Sequence, residues 1–116
     1  MTEPTTDSLR QKKCLPCEGG VPVIEAGQAQ SYLDTTPQWN LSDDAKWVCR
    51  KVGCKNFAEV MGLVNQIADL AESEGHHPDL HITGYRQLKI DLTTHAIGGL
   101  SENDFILAAK IDQLLE

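Results

Sequence analysis

Apolar residues recur at three- and four-residue steps over one long stretch: Phe57, Val60, Met61, Val64, Ile67, Ala68 and Ala71. That period lays them along one side of a helix of about four turns. Asn56 is suited to its N-cap, with Glu59 three residues on, and Gly75 is a natural C-terminal stop. A shorter helix is expected over 25–33, with Ala26, Ala29 and Leu33 on one stripe, ending before Thr36-Pro37. A last helix follows Ser101 as cap, with Asp104 at the third helical position and Phe105, Ala108, Ile111 and Leu115 on its inner face. Between the helices the period changes to two. In 87–94, Leu88, Ile90 and Leu92 point one way and Lys89, Asp91 and Thr93 the other, and this strand forms a hairpin with 80–85. A second pair of strands spans 39–41 and 46–52, joined by Ser42-Asp43-Asp44; here Trp47 and Cys49 alternate with Val48 and Arg50 without a clean polar face. Residues 96–99 form a small-residue turn.

The order helix, strand, strand, helix, strand, strand, helix places sequential antiparallel pairs between helices. It predicts an α+β two-layer sandwich: a four-stranded antiparallel sheet with three helices on one face (α-β-β-α-β-β-α). Residues 1–20 read as a flexible N-terminal arm, because 1–13 offer little that could pack and Cys14-Leu15-Pro16-Cys17-Glu18-Gly19-Gly20 ends in turn-forming glycines. Residues 21–116 form a single domain. A length of 116 residues with 41% hydrophobic positions suffices for one core and excludes a wholly disordered chain. Ten Lys and Arg against seventeen Asp and Glu leave a net charge of −7, which argues against nucleic acid or anionic lipid as partners. The longest apolar run, 105–109, is far short of the roughly 20 residues of a membrane span. The polar start does not resemble a secretory leader, so the expected compartment is the cytoplasm and the four cysteines are expected to be reduced thiols.

Histidine is scarce, and its placement is informative. His76 and His77 follow the long helix directly, Pro78 fixes the chain after them, and His95 stands at the end of a strand. Imidazoles with pKa values near 6.5 let one ring hold a proton while another accepts one at neutral pH. Glu72, four residues before His76, is spaced to orient or charge that ring, or else lies on the solvated helix face. The same histidines with Asp104 offer three nitrogens and a carboxylate to a metal, but adjacent side chains diverge and no helical His-x-x-x-His pair is present. Cys14, Cys17, Cys49 and Cys54 admit three readings: ordinary thiols, a zinc site, or a redox pair in Cys14-x-x-Cys17. Trp39 is either a plate for a flat ligand or a core anchor. Phosphate-cradling glycine motifs and a Gly-x-Ser-x-Gly elbow are absent.

The run Glu72-Ser73-Glu74-Gly75-His76-His77-Pro78, then Tyr85, Thr93-Thr94-His95 and Gly98-Gly99-Leu100-Ser101-Glu102-Asn103-Asp104, closely resembles the signature of the pterin-4a-carbinolamine dehydratase family. The resemblance runs from about Trp39 to Leu115, and 14–20 look like the cysteine-containing leader of some bacterial members; Gly75 departs mildly from the pattern. It implies dehydration of 4a-hydroxytetrahydropterin to quinonoid dihydropterin, with no cofactor and no metal. By the same resemblance His76 and His95 are the acid/base pair, and His77 holds and polarises the substrate. Glu72 and Asp104 orient the rings, Pro78 fixes the histidine loop, Trp39 lies against the bicycle, and Thr93 and Thr94 bond its edge. The implied setting is tetrahydropterin recycling beside an aromatic amino acid hydroxylase. A homodimer or homotetramer is also implied, with 87–94 as a strand able to pair edge to edge. Relatives of the fold that assist transcription factors or assemble a carbon-fixing enzyme supply the alternative, a non-catalytic interaction protein. The central expectation is that three imidazoles from distant stretches converge at one cleft able to take a flat two-ring molecule.

Overall fold

The first and the longest helix each begin at a side chain that accepts from one of their unsatisfied N–H groups. The computed structural model of the protein describes residues 4–16 and 21–116. Asn56 Oδ1 accepts from the Glu59 N–H at 2.8 Å and starts the longest helix, Phe57–Glu74, which Gly75 ends in the left-handed region at φ 67°. In chain order the elements are α1 (Thr6–Gln11), α2 (Ala26–Thr35), β1 (Asn40–Leu41), β2 (Val48–Gly53), α3 (Phe57–Glu74), β3 (Asp79–Thr83), β4 (Gln87–Leu92) and α4 (Glu102–Leu115), with a 3-10 turn at His95–Ile97. From α2 onward this is the α-β-β-α-β-β-α order expected of the sandwich.

The sheet is antiparallel throughout, in the order β1-β2-β4-β3. Register sets Val48 opposite Leu92 and Arg50 opposite Ile90, so one face carries Val48, Leu88, Ile90 and Leu92, all buried. These pack with Val60 and Ile67 of α3 and Phe105 and Ile111 of α4. The opposite face carries Cys49, Asp91 and Asp79 in one row and Lys51, Lys89 and His81 in the next. Because β4 lies between β2 and β3, it is not available as an edge; the edges are β1 and β3.

Several boundaries differ from the periodicity, each for a local reason. β3 stops at Thr83 because Gly84 and Tyr85 both have φ 54° and turn the chain. β4 stops at Leu92 because Thr93 and Thr94 leave the ladder, and the Thr94 N–H donates to the Gly99 carbonyl at 2.9 Å. On α3 the buried stripe is Val60, Leu63, Ile67 and Ala71, whereas Phe57 is 52% exposed and Ala68 is exposed. The docked face is thus turned from the one that periodicity selects. On α4 burial is not confined to one stripe: the whole run 105–109 is buried, because α1, α2 and α3 all lie against this helix.

Residues 4–16, read from the sequence as an arm with little that could pack, contribute a helix and a fully buried leucine. Thr5 Oγ1 caps α1 by accepting from the Ser8 N–H, and Leu9 joins the core. Arg10 donates to the Ala109 carbonyl and pairs with Glu116, and Lys12 pairs with Glu102, so α1 is fastened along α4. One leucine in a polar run has no period, which is why the pattern does not reveal it.

Candidate active site

The left-handed turn at Gly75 throws the chain off α3, so His76 and His77 emerge at its end and Pro78 leads into β3. His76 is 5% exposed, and its Nε2 lies 2.6 Å from Asp104 Oδ1. Asp104 stands at the third position of α4, fully buried, and its second oxygen accepts from Thr94 Oγ1 at 2.8 Å and from the Ser101 N–H at 3.0 Å. Thr94 Oγ1 and Ser101 Oγ are a further 2.8 Å apart. One carboxylate therefore ties together the loop after α3, the turn after β4 and the first turn of α4. His95 follows Thr94 directly, so the backbone distance between the bonded Thr94 and His95 is about 3.8 Å between Cα atoms. Its ring is exposed and stands edge-to-face with Trp47, centroids 5.6 Å apart at 80°. A cavity of about 850 Å³ on the open face of the sheet is lined by Trp47, Asp79, His81, Lys89 and Asp91 among others, and by none of His76, His77 and His95.

Four of the assigned partners differ from expectation. Glu72 pairs with His77, Oε2 to Nε2 at 2.5 Å, and not with His76. The left-handed residue breaks helical phase after Glu74, so the four-residue rule ceases to apply there. Both members of this pair are largely exposed, at 61% and 77%, which keeps its contribution to stability small. Trp39 is 3% exposed and its Nε1 donates to Asp112 Oδ1 at 2.8 Å. Asp112 lies eight residues beyond Asp104, about 12 Å along the helix axis, so Trp39 is a core anchor remote from the histidines. Thr93 and Thr94 are buried, and their hydroxyls already have protein acceptors: Lys46 O at 2.5 Å for Thr93 and Asp104 for Thr94. These bonds join separate segments to each other. The residue that sequence reasoning missed is Trp47. Its parity with Cys49 and Lys51 was the available signal, because it sets the indole on the open face beside the end of β4.

The arm and the ends of α3 and α4 meet next to this site. Leu15 N–H donates to Asn103 Oδ1 at 2.9 Å, and Asn103 Nδ2 donates to the Leu15 carbonyl at 2.7 Å. Glu74 accepts from the Cys14 N–H and from Lys110 Nζ. Burial alone would raise the Glu74 carboxyl, but Lys110, the Cys14 N–H and Lys13 outweigh it and hold it below the ordinary range. The Cys14 thiol is pushed up to about 12, first by burial and then by the Glu74 carboxylate. At pH 8 its thiolate fraction is on the order of 10⁻⁴, so native alkylation by iodoacetamide is expected to be slower than that of a free thiol by a factor of about 10³. Mass spectrometry of native against urea-unfolded protein checks this, and equal labelling in both states would contradict the burial. Cys49 and Cys54 are free thiols as well, Cys17 lies outside the described residues, and among the described residues no group of three His, Cys, Asp or Glu is placed to hold a metal ion. No helix among the described residues is long and apolar enough to cross a membrane.

A model of the family described as pterin 4 alpha carbinolamine dehydratase matches residues 22–114, which include all of β1–β4 and every residue of the histidine and Asp104 constellation. The chain belongs to the pterin-4a-carbinolamine dehydratase family. This is a family of hydro-lyases. Putative pterin-4-alpha-carbinolamine dehydratases of Halorhodospira halophila and Nitrosomonas eutropha are 44% and 47% identical over 107 and 108 residues, covering 92% of this chain in each case and 97% and 93% of their own lengths. A mitochondrial relative from Arabidopsis thaliana, pterin-4-alpha-carbinolamine dehydratase 2, is 45% identical over 109 residues, 91% of this chain and 58% of its own. The fold is also that of a transcriptional coactivator/pterin dehydratase from Brucella melitensis, with a TM-score of 0.76 at 24% identity, over 82% of this chain and 100% of the other.

Proposed function

We propose that the protein removes water from a 4a-hydroxytetrahydropterin, with His76 and His95 transferring the protons and His77 holding the substrate. The observation that carries this reading is the shared carboxylate: Asp104 binds His76 through one oxygen and, through the other, the Thr94 hydroxyl next to His95. Two histidines from separate segments are thereby anchored to one rigid, buried point, which is what a two-proton reaction requires.

The chemistry asks for little else. The C4a–O bond breaks as the departing hydroxyl takes up a proton, N5 loses its proton, and the electron pair left on N5 closes the N5–C4a double bond. One water leaves and nothing is oxidised or reduced; the acid imidazole ends one proton short and the base imidazole one proton over, and exchange with solvent water resets the pair. Imidazole suits both half-steps because its ordinary pKa lies near neutrality. A buried carboxylate on the far nitrogen of His76 selects its orientation, as carboxylates do for catalytic imidazoles. His77, held by Glu72, is exposed and so is within reach of a bound substrate. The product, a quinonoid dihydropterin, would return to the tetrahydro form through a separate reductase, which places the reaction in pterin recycling.

The test is direct. The carbinolamine is generated in situ and the quinonoid product followed by absorbance with and without the protein. Formation faster than spontaneous loss of water, and proportional to protein concentration, is expected; a rate indistinguishable from the spontaneous one would refute the reading.

A further inference from the structure

The backbone of His95 is fixed on both sides, yet its side chain is exposed. Before it, Thr94 is bonded to Asp104 and Ser101; after it, the Gly98 N–H donates to the His95 carbonyl at 3.2 Å and closes the turn. The imidazole itself meets the indole of Trp47. Centroids 5.6 Å apart with planes at 80° are the edge-to-face arrangement that aromatic rings prefer.

Trp47 is in turn set on a clamped base. Its N–H donates to Ser42 Oγ at 3.0 Å, and its carbonyl accepts from the Ser42 N–H at 2.9 Å. Ser42 Oγ also accepts from the Lys46 N–H and donates to Asp44, and Ala45 takes the left-handed conformation, φ 58°, that lets the turn close. Thr93, two residues before His95, donates its hydroxyl to the carbonyl of Lys46, the residue before Trp47. The two segments are thus joined by the Thr93 side-chain hydroxyl on the Lys46 carbonyl and at their tips by one ring contact. That closed loop leaves the indole little freedom to move away.

We propose that Trp47 is a positioning residue for the reaction: its indole holds the exposed His95 imidazole in the side-chain rotamer from which the proton is transferred. An exposed histidine otherwise samples three staggered χ1 wells, and only one of them points the ring at a given bound atom. The inference rests on His95 moving a proton, as proposed above. A tryptophan serving as a substrate wall would act on binding, and one serving only as packing would act on stability; a positioning residue acts on turnover.

The experiment compares Trp47→Ala, Trp47→Phe and His95→Ala for kcat and KM, with NMR of the His95 ring protons in the first two. Trp47→Ala is expected to lower kcat by about tenfold, the scale of one aromatic contact, and to leave KM within about twofold. Trp47→Phe restores most of the loss. In Trp47→Ala the His95 ring resonances lose the indole ring-current shift while those of His76 stay in place. An unchanged kcat with a raised KM, equal losses in Ala and Phe, or unmoved His95 resonances would each overturn the role of Trp47. A slow His95→Ala beside a wild-type Trp47→Ala sinks the positioning role alone, whereas a wild-type rate in His95→Ala sinks the assignment of His95 as well.

Discussion

His95→Ala is expected to lower kcat/KM by about 10²–10⁴-fold, the range for losing one general acid or base, while the protein melts within a few degrees of wild type. The second half follows from exposure. The His95 side chain stands on a 3-10 turn outside the core, and the hydrogen bonds that anchor that turn come from Thr94 and the backbone. Exposed positions of this kind usually change stability by no more than about 0.5 kcal/mol. His76→Ala is expected to differ, losing activity and stability together, since that ring is 5% exposed and bonded to a buried carboxylate. Steady-state kinetics on the carbinolamine with a thermal melt of each variant checks both. A His95→Ala protein within threefold of wild type would remove His95 from proton transfer.

The second large effect lies at Asp104. Asp104→Ala is expected to destabilise the fold by roughly 3–5 kcal/mol, since each buried group left without its hydrogen-bond partner costs about 1–3 kcal/mol. For a domain of this size that amounts to a fall in Tm of roughly 10–20 °C. Three groups lose their acceptor together: the His76 ring, the Thr94 hydroxyl and the Ser101 N–H, all buried. Asp104→Asn is expected to be milder, because the amide keeps the volume and one oxygen, but its NH₂ must then confront either His76 or the Thr94 and Ser101 donors. Circular dichroism melts of the two variants give the comparison. If Asp104→Ala melts with wild type and turns over at the wild-type rate, Asp104 does not hold the histidine segments together.

The resemblance to the dehydratase family brought the chemistry into view, and the residues show which parts of it reach back to physics. The His-His-Pro run after a helix and the capping aspartate of the last helix are short-range features. They meet through one carboxylate because Asp104 is needed twice: as the third residue of a capping box and as the partner of His76. Trp39, Thr93 and Thr94 show what spacing along the chain does not record. Each is a polar or amphipathic side chain that found an internal partner, Asp112, Lys46 and Asp104 respectively. Spacing along the chain contains no record of such partners, since they are more than eight residues away in every case.

Helix α3 with its Asn56 cap and Gly75 stop, the alternation of β4, and the cap of α4 were all legible, because caps and periodicity act within one or two turns of chain. The same is true of the order of elements and hence the fold class. What lay beyond reach depended on which surfaces dock. The centre of the sheet falls to β4, burial runs all round the first half of α4, Leu9 of a polar arm enters the core, and Glu72 turns to His77. Trp47, and not Trp39, comes to stand at His95. In each case the deciding contact joins residues that local chain geometry does not relate, so its free energy exists only once the layers have closed.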